Sequence, residues 1–216
     1  MRLVAESHVL GFFPLRLVFD RVVVTDVFAG KNNKTVAETL AHRRYRHLWR
    51  IVRDRYPESL NHKLGEFLRA LKRAGDPFYL RFLNKYGDGT YCKFWIVTSA
   101  HSDRKGLYCF ALPGELKYIG KTTSSFGKRM NQGYGTISPK NCYLDGQATN
   151  CHLNSSITRN RDLVELYVCP LDRESEIGRL ERILIRQYQP EWNTALTIKG
   201  ERLTSRWSRP GYQEPF

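Results

Sequence analysis

Runs of apolar and β-branched residues predict five strands along the chain. Between the third and fourth runs stand Pro113, Gly114 and Glu115, which are typical of a tight turn. We therefore expect those two runs to pair as a hairpin, and Pro170 to end the last strand. The predicted strands are 16–24, 91–98, 107–112, 116–119 and 163–169.

Apolar residues spaced three or four apart predict helices in the remaining segments. Thr35 and Glu38 match a capping box that begins the first helix, which should run to about Tyr56. Asp76 and Pro77 begin another, with Asp as the cap and Pro at the first helical position. The predicted helices are 35–56, 59–74, 76 to about 87, a short helix from Ser124, one that His152 opens, and 175–188.

Four arginines recur every three or four residues in the first predicted helix. Arg43, Arg46, Arg50 and Arg53 would share one face of it. Neighbouring positive charges repel unless an anion lies along them, and only Glu38 and Asp54 are acidic in this helix. The pattern favours a helix that follows the phosphates of DNA, and the alternative is a solvated charged face.

The charge of the chain points to an anionic partner. Its 216 residues hold 35 Lys and Arg against 21 Asp and Glu, a formal net charge of +14. Residues 1–105 hold 20 basic and 10 acidic side chains, whereas residues 106–216 hold 15 and 11. Nucleic acid is the commonest partner of such a protein. We therefore expect a basic, mainly helical nucleic-acid-binding module at 1–104 and a second domain at 105–216.

Cysteine and hydropathy patterns restrict the compartment. The five cysteines are scattered and form no CxxC pair, which argues against a disulfide framework and a zinc cage. The simplest interpretation is a reduced, cytoplasmic protein. Charged residues interrupt the apolar run 9–28 too often for a membrane span, so we expect no membrane partner.

The predicted hairpin carries two tyrosine triplets, Gly106-Leu107-Tyr108 and Tyr118-Ile119-Gly120. This pair resembles the signature of the GIY-YIG endonuclease superfamily, with Leu107 in place of the usual Ile. The resemblance continues in order through Arg129, Glu181 and a Pro190-x-x-Asn193 segment. It departs at Gly133, where many members have His or Tyr. Either the short helix predicted from Ser124 ends early at Gly133 and Tyr134 takes the role of that His or Tyr, or His152 takes it.

The resemblance implies an α/β (α+β) catalytic domain whose small, three-stranded, mainly antiparallel sheet is flanked by helices. It implies hydrolysis of phosphodiester bonds in double-stranded DNA with one Mg²⁺ or Mn²⁺ ion per active site, held by Glu181. Arg129 would hold the scissile phosphate through paired hydrogen bonds. The remaining site residues expected are Tyr108, Tyr118, His152 and Asn193 in catalysis, and Lys121, Lys128 and Tyr134 on DNA.

Within this family the proton acceptor from the attacking water would be Tyr108, with Tyr118 as its partner. A free tyrosine has a pKa near 10, so this role requires nearby cations that stabilise the phenolate. Asn193 would position the network beside the metal, and His152 or Tyr134 would assist the leaving group.

The expected biological role is site-specific cleavage in restriction or phage defence, with a homodimer if both strands are cut. Homing or structure-specific repair nucleases are alternatives, as are an RNA-directed protein and a nucleic-acid-binding protein that does not cleave. All of these share the basic charge, so sequence alone leaves them open.

Overall fold

The structure is a computed structural model that describes residues 1–31 and 34–194, and it is mixed α+β with antiparallel sheets. The strands are β1 Arg2–Ala5, β2 His8–Gly11, β3 Phe13–Leu15, β4 Leu17–Val24, β5 Tyr91–Ile96, β6 Gly106–Leu112, β7 Glu115–Thr122 and β8 Glu165–Pro170. The α-helices are α1 Val36–Ala41, α2 Trp49–Arg55, α3 Leu64–Arg73, α4 Phe126–Lys128, α5 Pro139–Cys142, α6 Ala148–Arg159 and α7 Glu174–Tyr188. Shorter 3₁₀ helices span Val27–Ala29, Arg46–Leu48, Pro57–Asn61 and Pro77–Phe82, and Arg129–Tyr134 is π-helical.

The chain forms two compact units. Among the described residues, the first unit contains Met1–Phe19, Phe94–Gly135 and 159–194. The second unit contains Asp20–Lys93 and Thr136–Thr158. This division differs from the predicted boundary at 104, because packing joins segments that are far apart in the sequence.

The sheet of the first unit has four strands in the order β3-β8-β6-β7. The prediction of three strands is therefore wrong by one. The additional strand, β3, pairs antiparallel with β8, and Leu15 lies opposite Leu166. Its three residues include Pro14, which is tolerated because β3 lies at an edge of the sheet. A pairing across some 150 residues leaves no local pattern in the sequence.

One apolar core holds α7 against the sheet. Leu180 and Leu184 of α7 pack with Leu107 and Cys109 of β6 and with Ile119 of β7. The hairpin of β1 and β2 adds to the same core, since Leu3 and Ala5 are also buried in it. The N-terminal residues thus complete the sheet unit and do not belong to the basic module predicted for them.

The second unit is mainly helical, and its predicted first helix is interrupted. The capping box is confirmed, since Thr35 Oγ1 accepts from Glu38 N at 3.2 Å and Glu38 Oε2 accepts from Thr35 N at 2.6 Å. However, α1 ends at Ala41, and α2 begins only at Trp49. Tyr45 lies in the gap between these two helices, and its ring is buried in the core of the unit.

The later helices of the second unit differ from their predicted bounds. Asp76 caps the next one through a 2.9 Å bond that its Oδ1 accepts from Phe78 N, and this segment is a 3₁₀ helix that ends at Phe82 rather than near Gly87. α3 begins at Leu64 rather than residue 59. It ends before Gly75, whose φ of 72° is the left-handed conformation that glycine adopts readily. Among residues 1–31 and 34–194, every helix is too short or too polar to cross a membrane.

Candidate active site

The pairing of β6 with β7 brings the two tyrosine triplets together. Tyr108 lies opposite Gly120, and Phe110 lies opposite Tyr118. The rings of Tyr108 and Tyr118 stack with their centroids 6.1 Å apart, and both contact Tyr134 edge-on. The predicted hairpin is confirmed, and its observed register places the two tyrosines on which the site is built.

Gly120 has a steric reason to be glycine. A Cβ at this position would lie 2.6 Å from the Cζ and Oη atoms of Tyr108 and 2.7 Å from Cε1 of Tyr118. Both rings therefore lie across the bare backbone of Gly120. In the first triplet Gly106 has φ 147°, and a Cβ there would lie 2.1 Å from the carbonyl oxygen of Cys169 on the neighbouring strand.

Arg129 joins the tyrosine cluster through two hydrogen bonds. Its Nε donates to Tyr108 Oη at 3.2 Å, and its Nη2 donates to Tyr134 Oη at 2.7 Å. Its Cζ also lies 4.4 Å from the centroid of the Tyr134 ring. The hydroxyl of Tyr134 is 2.7 Å from that of Tyr108 and 3.5 Å from that of Tyr118. The predicted residues Tyr108, Tyr118, Arg129 and Tyr134 thus form one network.

A π-helical turn explains why Tyr134 and not Gly133 occupies this position. In a regular α-helix the residue four positions after Arg129 would face it, and that residue is Gly133. The segment Arg129–Tyr134 is instead π-helical, and such turns bring the fifth residue into register. The expectation that the helix ends at Gly133 is wrong, because it continues as a π-turn to Tyr134.

The cluster is largely shielded from water. Tyr108 and Tyr134 have no exposed surface, and 9% of Tyr118 is exposed. Burial raises the pKa of Tyr108 well above its ordinary value, and the neighbouring phenols add to this increase. Arg129 acts in the opposite direction but does not outweigh them. Burial likewise raises the pKa of Tyr118. Both phenols are therefore neutral at pH 7, and the lowered pKa that a proton acceptor needs is not present in the protein alone.

Glu181 on α7 lies at the edge strand β7. Its Oε2 forms an ion pair with Lys121 Nζ at 2.8 Å, and the exposed fractions of the two side chains are 16% and 39%. The carboxylate is also among the charges that raise the pKa of Tyr118. Lys121, predicted to contact DNA, is thus engaged by the carboxylate predicted to hold the metal. Sequence reasoning missed this pair, which alternation along β7 could have suggested.

Asn193 is a structural link to β7. Its Oδ1 accepts from Ile119 N at 2.9 Å, and its Nδ2 donates to Ile119 O at 2.8 Å. Trp192 N adds a 2.8 Å bond to Lys117 O. Both polar atoms of the buried Asn193 amide are therefore bonded to the backbone of β7. Asn193 therefore positions the strand, and its role beside the metal stays a prediction.

His152 and Tyr134 were alternatives for one role, and the structure separates them. His152 belongs to the second unit, where its ring stacks on Tyr86 with centroids 4.4 Å apart. Tyr134 is the residue hydrogen-bonded within the cluster. Since Tyr134 is completely buried, its predicted contact with DNA is wrong. Lys128, by contrast, is exposed beside an open polar cavity of about 460 Å³ that Asn131 and Gln132 also line.

The four arginines predicted to follow DNA phosphates do not share one helix face. Arg43 precedes the 3₁₀ turn that contains Arg46, and only Arg50 and Arg53 lie in α2. The interruption around Tyr45 separates the first pair from the second. All four are exposed, and Asp54 pairs with Arg50 at 3.7 Å and with Arg53 at 3.2 Å. The predicted single helix face of four arginines is therefore wrong.

The metal site predicted at Glu181 contains one carboxylate. Within the part of the chain that the structure describes, no group of three or more His, Cys, Asp or Glu side chains could hold an ion. Mg²⁺ commonly binds one or two carboxylates and completes its shell with waters and substrate phosphate oxygens. Glu181 fits such an ion only if the substrate supplies the other ligands. No protein-family model, curated protein or solved structure matches the chain.

Proposed function

We propose that the first unit is the catalytic part of a divalent-metal-dependent DNA endonuclease of the GIY-YIG type. One observation carries this proposal. Residues that the motif order picked out over more than seventy positions of sequence lie around one hairpin. Tyr108, Tyr118 and Arg129 share a hydrogen-bond network with Tyr134, and the charge of Glu181 acts on Tyr118.

Arg129 is the proposed phosphate ligand. A guanidinium has five N–H groups, and the bonds to Tyr108 and Tyr134 use two of them. The two phenols fix its plane, so it is preorganised to donate paired bonds to non-bridging oxygens. The pKa of Arg129 is raised: burial alone would lower it, but the surrounding phenols outweigh burial. The guanidinium therefore remains charged inside the cluster.

Tyr108 remains the proposed proton acceptor from the attacking water. Its Oη already accepts from Arg129 Nε, the neighbour whose charge favours the phenolate. Tyr118, which has a small exposed surface, would orient the water beside it. Since burial keeps Tyr108 neutral at pH 7, we expect cleavage to accelerate as the pH rises.

Glu181 is the proposed ligand of a divalent ion. When bound, that ion would neutralise negative charge that develops on the phosphate during hydrolysis. Lys121 would then release the carboxylate oxygen it now holds, and its ammonium would be available to a DNA phosphate. The metal and DNA roles predicted for these two residues are in this way compatible.

A nucleic-acid-binding protein that does not cleave is the second candidate, favoured by the same ion pair. Lys121 already satisfies Glu181 at 2.8 Å, as a permanent substitute for an ion would. The two candidates differ in whether Mg²⁺ displaces the ammonium.

Glu181→Gln tests the proposal directly. We expect wild type to cut a randomised DNA duplex with Mg²⁺ or Mn²⁺ and to stop with a chelator. The Gln variant should lose cleavage while retaining DNA binding, because it cannot neutralise an ion. Glu176→Gln, on the same helix, is the matched control and should cut normally. If wild type cuts neither duplex DNA, single strands nor RNA, the endonuclease proposal is wrong and the non-cleaving candidate replaces it.

Mapping the ends produced from the duplex library distinguishes the biological roles. One recurring site supports a restriction or phage-defence enzyme. Cuts at branched or damaged positions would support repair, and a single long site would support homing. Paired cuts in both strands that depend on protein concentration would support a homodimer.

A further inference from the structure

The second unit contains a cavity of about 310 Å³ that the proposed catalytic chemistry does not use. Tyr45, Tyr143 and Leu64 form part of its wall. Both tyrosine rings are buried and fixed, since Tyr143 Oη donates to Phe28 O at 2.7 Å and Tyr45 Oη donates to Asp145 Oδ1 at 2.5 Å. The volume is at the lower end of the range for small-molecule pockets, so it suits a ligand about as large as one nucleotide.

Basic side chains dominate the charge of this cavity. Lys31, Lys34 and Lys140 line it, and all three are exposed. Asp145 is the only carboxylate among the lining residues that the structure describes. Lysine ammonium groups at such a position attract phosphate, and three of them compensate a doubly charged group.

Asp145 adds a negatively charged hydrogen-bond acceptor to a cavity that is otherwise lined by positive charge. Its Oδ1 accepts from Tyr45 Oη, and its own backbone N donates to the same hydroxyl at 3.3 Å. The carboxylate is thereby held in place while its other oxygen retains acceptor capacity. It repels phosphate and accepts from a hydroxyl or amino group. A ligand that fills the cavity must therefore be anionic at one end and a hydrogen-bond donor at the other.

We infer that this cavity binds a nucleoside phosphate, with the phosphate at Lys31, Lys34 and Lys140 and a hydroxyl or amino donor at Asp145. The ligand is either a free nucleotide or the phosphorylated end of a strand, which share this chemistry. The inference concerns binding within the second unit and does not depend on cleavage by the first.

Calorimetric titration of the full chain with AMP, in a chelating buffer, tests this site. We expect one AMP per chain, with adenosine and inorganic phosphate each at least about tenfold weaker, because each satisfies only one end. Lys140→Ala should weaken AMP at least about tenfold through loss of a charge-assisted contact. Lys85→Ala, an exposed lysine of the same unit outside the cavity, should leave AMP binding within about twofold.

Asp145→Asn separates the two ends of the ligand. The amide keeps the shape but removes the negative charge, so inorganic phosphate should bind more tightly while AMP loses its preference over phosphate. Thermal melting of each variant shows whether a loss reflects unfolding, and Lys31→Ala provides a second test on an exposed side chain.

Short oligoadenylate strands identify the source of the ligand. Tighter binding of a 5′-phosphorylated strand than of AMP assigns a strand end, and equal or weaker binding assigns a free nucleotide. The inference is overturned if AMP shows no saturable binding, if inorganic phosphate binds as tightly as AMP, or if Lys85→Ala and Lys140→Ala weaken AMP equally.

Discussion

The tyrosine cluster around Arg129 in the first unit and the tyrosines beside carboxylates in the second unit are bonded in different ways. In the second unit the phenols of Tyr56 and Tyr79 donate to the carboxylates of Asp76 and Asp88. In the first unit the phenol of Tyr108 bonds to another phenol and accepts from the guanidinium of Arg129. A phenol that donates to a carboxylate is a satisfied structural group. A phenol that accepts from a cation can carry negative charge, which is what proton transfer from water requires.

The pKa values follow the same division. Burial raises the pKa of Tyr56 and Tyr79, and their carboxylate partners raise it further. Burial also raises the pKa of Tyr108, but there the charge of Arg129 lowers it. The carboxylates thus disfavour the phenolate of Tyr56 and of Tyr79 more than the neighbouring cations Arg55 and Lys72 favour it. At Tyr108 no carboxylate is bonded to the phenol, and the charge of Arg129 favours the phenolate.

The largest effect expected from this comparison is on cleavage. Tyr108→Phe should lower the single-turnover rate about 10²–10⁴-fold, the usual contribution of a group that takes a proton in the transition state. Tyr118→Phe, which removes a weaker neutral hydrogen bond, should cost about tenfold or less. Tyr79→Phe in the second unit should leave the rate unchanged. Equal losses at Tyr108 and Tyr118 would mean that the two phenols act as a coupled pair.

The pH profile tests the same assignment. Because the pKa of Tyr108 is raised, its phenolate is scarce at pH 7, and the wild-type rate should rise with pH over the alkaline range. Tyr108→Phe should lose this rise. An alkaline limb that survives in the variant would assign it to another group.

The next prediction concerns stability and compares substitutions of two buried asparagines. Asn193 bonds to both backbone groups of Ile119, and Asn154 does the same to Cys92 in the second unit, at 3.1 and 2.9 Å. Asn→Asp at either position keeps the acceptor but loses the donor and buries a charge. We expect each to lower the free energy of unfolding by about 3 kcal/mol, measured by denaturant titration.

This pair also tests whether Asn193 is merely structural. If its role matches that of Asn154, cleavage by Asn193→Asp should fall only as far as the folded fraction falls. A much larger loss of rate in fully folded protein would restore Asn193 to the catalytic residues.

The sequence predicted residues that belong to a motif and missed contacts between distant segments. The hairpin and the order of Tyr108, Arg129 and Glu181 follow from local turn chemistry and a motif, and the structure brings these residues around one hairpin. The bonds of Asn154 to Cys92 span 62 positions and carry no motif, so sequence reasoning did not find them. The same limit concealed β3, whose partner lies in β8.

The second unit was predicted less accurately because its helices are short and broken. Helical spacing across 35–56 is genuine, but burial of Tyr45 and its bond to Asp145, 100 positions away, overrides it.

At Arg129–Tyr134 of the first unit the error had another origin, since one π-turn changes the residue that faces Arg129 from the fourth to the fifth after it. Periodicity assumes regular helices, and both segments depart from that assumption.

The next prediction compares two glycines of the first unit and expects a smaller effect on the free energy of unfolding. Gly120→Ala places a methyl 2.6 Å from Tyr108, so the overpacked hairpin should lose about 1–3 kcal/mol. Gly11→Ala meets nothing within 4 Å and should be close to neutral. Denaturant titration of both variants measures the difference. Similar stability of the two would mean that the tyrosine rings can move away from β7, and the preorganised cluster would then be untenable.

The smallest effect on stability, and the clearest on binding, concerns α2. Arg50 and Arg53 are exposed, and their pairing with Asp54 contributes little, so replacing both with Ala should change the free energy of unfolding by less than about 0.5 kcal/mol. If the pair contacts phosphates, the slope of log K against log salt should flatten by about two contacts, each worth about 0.9. Arg73→Ala with Arg81→Ala removes the same charge from other exposed sites of the unit and should leave the slope nearly unchanged. Equal flattening in both double variants would show that the basic charge of the second unit acts as a whole, and that α2 has no special position on DNA.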